Sequence, residues 1–241
     1  VEDVTSTSFI VKWEAVENAI GYMVNDGSKN HNITATEFKM EKLNAGTYTV
    51  KVMAMADENS NYTNSEFASI QQAVTGLTPD ECDWVECSVS LPTEEDAASG
   101  YLPFLRIFHS FKGTGIVEIK SGCFTAANYE NTPAATLAAE CDALDADTVA
   151  LANGDGVTTV FQGVQAETEY RLIAVVTNED GLTVIFDHKI TTAEAQPHPD
   201  MEKWVGTWSL SADQVVNWIY VDGAYNGPTL IDQSATYDIT I

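Results

Sequence analysis

The side chains able to do chemistry in this chain are few and dispersed. Its four histidines, His31, His109, His188 and His198, are far apart, and none stands at metal-ligand spacing from another or from a cysteine. They read as surface or loop residues. His109 precedes Ser110, but no G-x-S-x-G turn accompanies the pair, so a hydrolase nucleophile is not predicted. The four cysteines, Cys82, Cys87, Cys123 and Cys141, match neither a zinc-type nor a redox-type C-x-x-C arrangement. Buried free thiols and up to two disulfides both remain open. Cys82 and Cys87, five positions apart, are expected on opposite faces of one strand and would need a turn between them to pair.

Carboxylates are plentiful: 36 Asp and Glu face 11 Lys and Arg, for a net charge of −25. Glu94, Glu95 and Asp96 form one cluster, and Asp142, Asp145 and Asp147 another. Calcium takes several hard oxygens, yet neither cluster follows the D-x-D-x-D-G loop, so both read as solvated loop charge. The acidic balance disfavours nucleic acid and anionic membrane surfaces, which are bound through Lys and Arg. No apolar run is long enough to span a bilayer. Aromatic residues crowd the last part of the chain, and Trp218, Tyr220 and Tyr225 are the candidate ligand-binding residues, since exposed rings stack on sugar faces. Neither a catalytic set nor a metal or cofactor site is predicted.

The elements that carry these residues show a period of two. SFIVKW at 8–13 turns Phe9, Val11 and Trp13 to one face, GYMV at 21–24 adds Tyr22 and Val24, and the run from Tyr48 sets Val50, Val52, Ala54 and Ala56 against Thr49, Lys51, Met53 and Met55. Turn sequences such as NDGSKN and DENSN separate the runs. Short strands at regular intervals predict a mainly β protein built of sandwiches. Tyr48 opens its strand just after a corner, LNAG, where its ring can pack inward while its hydroxyl reaches back to the upstream backbone. Tyr170, after VQAET, repeats the device.

Further strands are expected at 105–110, 115–120, 158–163, 169–177 and 182–191. Between the second and third of these, an insertion at about 132–154 predicts short helices. Leu137, Cys141 and Leu144 fall at i, i+4 and i+7, Pro133 suits a first turn, and Asp145 caps a second helix ending at Asn153-Gly154. The outward set Arg171, Ile173 and Val175 is unusually apolar, so both helices are expected to pack on that outer face.

Trp13, Tyr22, Leu43, Gly46 and Tyr48, with their spacings, resemble the fibronectin type III family over residues 1–76, although the integrin-binding tripeptide of some animal members is lacking. The phrases KSGCFTAANYE and AETEYRLIAVVTNEDG make 78–194 similar to a fibronectin-like domain with a helical insert found in exported proteins of Bacteroidetes. That resemblance implies a lipoprotein of the cell surface or outer membrane, with the periplasm as the alternative, lipid-anchored upstream and accessory to outer-membrane nutrient uptake. Gly206-Thr207-Trp208 resembles the G-x-W signature of lipocalin-like barrels, and 197–241 is expected to be a partial β domain. Together these imply a non-catalytic binding or scaffold module whose partner is a glycan or an uptake complex. The alternatives are a spacer within a secreted hydrolase and an adhesin or fimbrial subunit.

Overall fold

The computed structural model describes residues 1–196, 207–212, 215–221, 224–231 and 235–240, the last four segments as backbone. Residues 1–194 form one compact unit and 195–241 another. The expected division near residue 77 falls inside the first unit.

The first six strands are β1 (Phe9–Lys12), β2 (Ala19–Asn25), β3 (Asn30–Ile33), β4 (Glu37–Met40), β5 (Gly46–Ala56) and β6 (Ala68–Val74). They make a β1-β4 pair and a four-stranded sheet of order β3-β2-β5-β6. The alternation seen in the sequence decides what lies between them. Phe9, Val11, Val24, Met40, Leu43, Val50 and Val74 form the buried cluster, with Trp13 and Tyr48 against it. The Tyr48 hydroxyl donates to the Asn44 carbonyl at 2.9 Å, and the Tyr22 hydroxyl accepts from the Val16 amide at 2.9 Å.

The same permutation recurs downstream. Strands β7 (Val85–Ser90), β8 (Arg106–Gly113), β9 (Ile116–Thr125), β10 (Asp142–Ala143), β11 (Val157–Gln162), β12 (Glu169–Asn178) and β13 (Thr183–Thr191) form a β11-β8-β7 sheet facing one of order β10-β9-β12-β13. Here too the corner tyrosine is tied to the upstream backbone, because the Tyr170 hydroxyl accepts from the Gln165 amide at 2.8 Å. The strand expected over 115–120 runs on to Thr125 as part of β9.

Four short helices accompany this sandwich: α1 (Glu94–Ala98), α2 (Ala126–Tyr129), α3 (Ala134–Ala138) and α4 (Ala146–Ala152). Two expectations about the insert are corrected. The stripe Leu137, Cys141, Leu144 is not one helix, because Asp142 and Ala143 pair with Ser121 and Lys120 and the Leu144 amide bonds the Ile119 carbonyl at 2.8 Å. That pairing covers what would be an open edge of β9. Nor do both helices cover the outer face. Helix α4, capped by Asp145 as expected, turns Val149 and Ala152 into the interior beside Phe111 and Ile116. Asn153 then locks its end, donating to the Ile116 carbonyl and accepting from the Ile116 amide, both at 2.8 Å.

The outer face of β12 is covered by α2, α3 and the loop between them. Ile173 and Leu137 are fully buried there, and Gly122, the cross-strand partner of Ile173, has no room for a side chain: a Cβ would lie 2.9 Å from Cys141 Sγ. Arg171, only 5% exposed, crosses this face. Its Nη1 donates to the carbonyls of Tyr129 (2.5 Å) and Thr132 (2.8 Å), and its Nε and Nη2 grip Asp187 at 3.2 and 2.6 Å. Strand β12 is therefore buried on both faces, which explains its almost unbroken apolar sequence.

The two sandwiches are joined by more than the chain. Leu77 makes a parallel bridge to Val184, and Lys42 pairs with Asp180. The Asn44 side chain donates to the Gly181 carbonyl and accepts from the Thr183 amide, each at 2.8 Å. Gly76 makes the turn between them at φ +79°, where a Cβ would sit 2.7 Å from the Ala45 amide nitrogen. In the second unit, β14 (Thr207–Ala212) pairs with β17 (Ala235–Thr240), and β15 (Val215–Val221) with β16 (Ala224–Ile231). Gly206 of the expected G-x-W signature lies outside the described residues.

Candidate functional site

Strand β8 sends Ile107, His109 and Phe111 into the second sandwich, and β13 sends Phe186, His188 and Ile190 towards them. The two histidines fall at the same level, between an apolar cluster around Phe111 and Phe186 and another around Ile107 and Tyr170. Cys87 of β7 joins them. One donor atom from each of Cys87, His109 and His188 lies within 4.8 Å of the other two. His109 is fully buried, whereas Cys87 and His188, on the facing edge strands β7 and β13, keep some exposure.

The hydrogen bonds around His109 run in one chain. Its Nε2 is 3.1 Å from Cys87 Sγ and its Nδ1 is 2.8 Å from Ser121 Oγ on the opposite sheet. In one protonation pattern the Cys87 S–H donates to Nε2 while Nδ1–H donates to Ser121; reversing every proton gives the other. The Nδ1 of His188 is buried and has no hydrogen-bond partner among the described residues. Burial pushes the Cys87 thiol up to about 12, and burial together with the nearby His188 takes His109 down to about 3. Burial also lowers His188, partly opposed by Asp187. The pair is thus a neutral thiol beside a neutral imidazole, the opposite of the ion pair that activates a cysteine nucleophile. What the group does offer is one sulfur and two nitrogen donors converging on one point.

Spacing along the chain does not reveal this cluster, because its three members are distant in sequence and meet only across the sandwich, so neither histidine is the surface or loop residue expected. A usable signal was present: each histidine holds an inward position of a period-two run, with large apolar residues two places to either side. Other expectations about chemistry are also revised. All four cysteines are free thiols, and Cys82 ends a 3-10 turn (Pro79–Glu81) while Cys87 lies in β7, so the two do not share a strand. Glu94, Glu95 and Asp96 are the first turn of α1 and not loop charge, with Asp96 completing a capping box with Thr93. Asp145 is occupied in capping α4.

In the first sandwich, a cleft of about 690 Å³ is lined by Asp26, Lys29, His31, Phe38 and Tyr48 among others. His31 Nε2 is 2.6 Å from an Asp26 carboxylate oxygen, while the other Asp26 oxygen accepts from Ser28 and Lys29 amides, each at 2.8 Å. The pair holds the turn into β3 together. The aromatic candidates lie in the second unit: Tyr220 is the cross-strand partner of Tyr225, and Trp218 that of Pro228, with a bulge between Trp218 and Tyr220. Their side chains are outside the described residues.

The repeated strand order settles the architecture. It is a tandem of fibronectin type III-like, Ig-like β-sandwiches. No family model and no curated protein matches the chain. Among solved structures it is similar to a two-domain fibronectin type III segment of chicken tenascin, at 15% identity and TM-score 0.41, covering 79% of this chain and 95% of that one. It is also similar to the FN1-FN3 domains of chicken CNTN1, at 14% identity and TM-score 0.30 over 79% and 62% of the two chains. A central fibronectin-III array of RIM-binding protein gives 13% identity and TM-score 0.27 over 96% and 86%.

Proposed function

We propose that this chain is a non-catalytic scaffold and binding module of an exported, surface-tethered protein, and that it positions a glycan for an outer-membrane uptake complex. The observation that carries the scaffold role is the junction around Asn44, Lys42 and Leu77. It fixes two sandwiches as one unit, as a module that presents something at a set distance requires. The neutral state of Cys87 and His109 supports a role without covalent catalysis. The ligand assignment draws on the β15–β16 hairpin, whose register sets Tyr220 beside Tyr225 with Trp218 on the same strand. Aromatic residues at these register positions are of the type that stacks on the apolar faces of pyranose sugars.

The test is a glycan array probed with the full chain and with a Trp218→Ala/Tyr220→Ala variant. A defined set of glycans bound by the parent and lost in the double variant is expected. Equal binding by both removes the hairpin from the site. Absence of any glycan signal, with self-association at micromolar concentration, replaces this reading with a fimbrial or adhesive one.

A further inference from the structure

We propose that Cys87, His109 and His188 form a three-coordinate site for copper, bound as Cu(I), inside the second sandwich. The donors come from three strands in two facing sheets, so the fold assembles the set and no loop has to close over it. Bonds of roughly 2.0 to 2.3 Å in a trigonal arrangement place donor atoms roughly 3.5 to 3.7 Å apart. The cluster brackets that spacing, from 3.1 Å between Cys87 Sγ and His109 Nε2 to the 4.8 Å limit that contains all three donors. Small side-chain rotations on β7 and β13 are enough to equalise it.

Charge balance favours Cu(I) over a divalent ion. When the metal binds, the Cys87 S–H proton is released to solvent and a metal–sulfur bond replaces it, with no change in oxidation state. One thiolate and two neutral imidazoles around Cu(I) carry no net charge. The same ligands around Zn(II) leave a positive charge between two apolar clusters, which costs several kcal/mol per uncompensated ion. Zinc also takes four ligands, and among the described residues the cluster holds three. Thiolate and imidazole together are donors that a soft cation accepts.

The surroundings fit as well. Ser121 Oγ, 2.8 Å from His109 Nδ1, can accept a hydrogen bond from Nδ1–H, the tautomer that leaves the Nε2 lone pair free to coordinate. The unpartnered Nδ1 of His188 marks a polar group in want of a ligand or a proton, a costly state in a sandwich interior. Access is provided where the edges of β7 and β13 face each other, since Cys87 and His188 are both partly exposed.

The experiment titrates the chain Val1–Ile241 anaerobically with Cu(I) buffered by bathocuproine disulfonate, and reads stoichiometry, melting temperature and the copper X-ray absorption edge. One Cu(I) per chain is expected, with one sulfur and two nitrogen scatterers and a higher melting temperature. His188→Leu is expected to fold at least as stably without metal, since it removes an unpartnered buried nitrogen, and to lose both uptake and the thermal shift. Cys87→Ser should lose them too, while the triple variant Cys82→Ser/Cys123→Ser/Cys141→Ser should keep them. Ser121→Ala should weaken binding by about 10- to 100-fold, as the loss of a group that orients a ligating histidine does. Three results each overturn the proposal: uptake unchanged in His188→Leu, uptake that follows the other three cysteines, or tight binding of Zn(II) or Co(II) without Cu(I).

Discussion

Replacing Arg171 with methionine should release the helical insert from the second sandwich. The guanidinium holds two carbonyls of the loop between α2 and α3, those of Tyr129 and Thr132, while forking onto Asp187 of the neighbouring strand. Methionine fills much of the same space, so the cavity cost is small, but the Thr132 carbonyl loses its donor and the Tyr129 carbonyl keeps only the Thr132 amide, at 3.1 Å. The Thr132 carbonyl is partly shielded from water, and an orphaned acceptor of this kind costs about 1 to 2 kcal/mol; the bond lost at Tyr129 adds about 1 kcal/mol, giving about 2 to 3 kcal/mol together. The ion pair itself adds little, because the Asp187 side chain is 34% exposed and its attraction is screened. For a unit of this size the loss lowers the melting temperature by roughly 4 to 12 °C. Thermal unfolding followed by circular dichroism measures it, and hydrogen exchange should show lost protection over residues 126–144 before the strands open. Arg171→Lys should fall between the parent and Arg171→Met, since one ammonium cannot serve both carbonyls and the carboxylate. Asp187→Asn should cost under about 1 kcal/mol. If Arg171→Met melts with the parent, or if Asp187→Asn is equally damaging, the clamp is not what holds the insert.

Two further substitutions probe the first sandwich and the junction. Burial acts to raise Asp26, but bonds from His31, the Lys29 and Ser28 amides and the Ser28 hydroxyl outweigh it and hold the carboxyl well below its usual range. A carboxyl depressed by folding stabilises above its unfolded pKa of about 3.9 and loses that contribution as the pH falls below it. Urea unfolding should therefore show Asp26→Asn about 1 to 2 kcal/mol less stable than the parent at pH 7. The gap should shrink from pH 4 towards pH 2, and a constant gap refutes the linkage. Asn44→Ala removes both side-chain bonds to β13 and its turn while leaving each sandwich interior intact. Calorimetry should then resolve two transitions where the parent gives one, and a single unchanged transition would show that Asn44 does not couple the sandwiches.

Much of the fold was legible in the chain because a half-buried strand writes its burial into every second residue. Phe9 and Val11, Tyr22 and Val24, and Val50 and Ala54 all face inward as their alternation requires. Tyr48 and Tyr170 announced the corners because a phenol must satisfy both an apolar ring and a polar tip. Asp145 announced α4 because a helix start needs an acceptor for its free amides. The Thr93–Asp96 capping box carries the same kind of signal for α1, hidden among the neighbouring acids Glu94 and Glu95.

Periodicity names a face and is silent about what lies across from it. It marked 171, 173 and 175 as a covered set but could not reveal that α4 turns inward while the loop after α2 meets Arg171. It treated His109 and His188, 79 positions apart in the chain, as unrelated. Their meeting with Cys87 follows from the registers of β7, β8 and β13 and from the packing of one sheet on the other. Those are set by the summed burial of whole strands, and no local spacing records them. The sequence on its own determined that these were sandwiches and where each strand turned inward; only the folded interior decided that a thiol and two imidazoles should share one point within it.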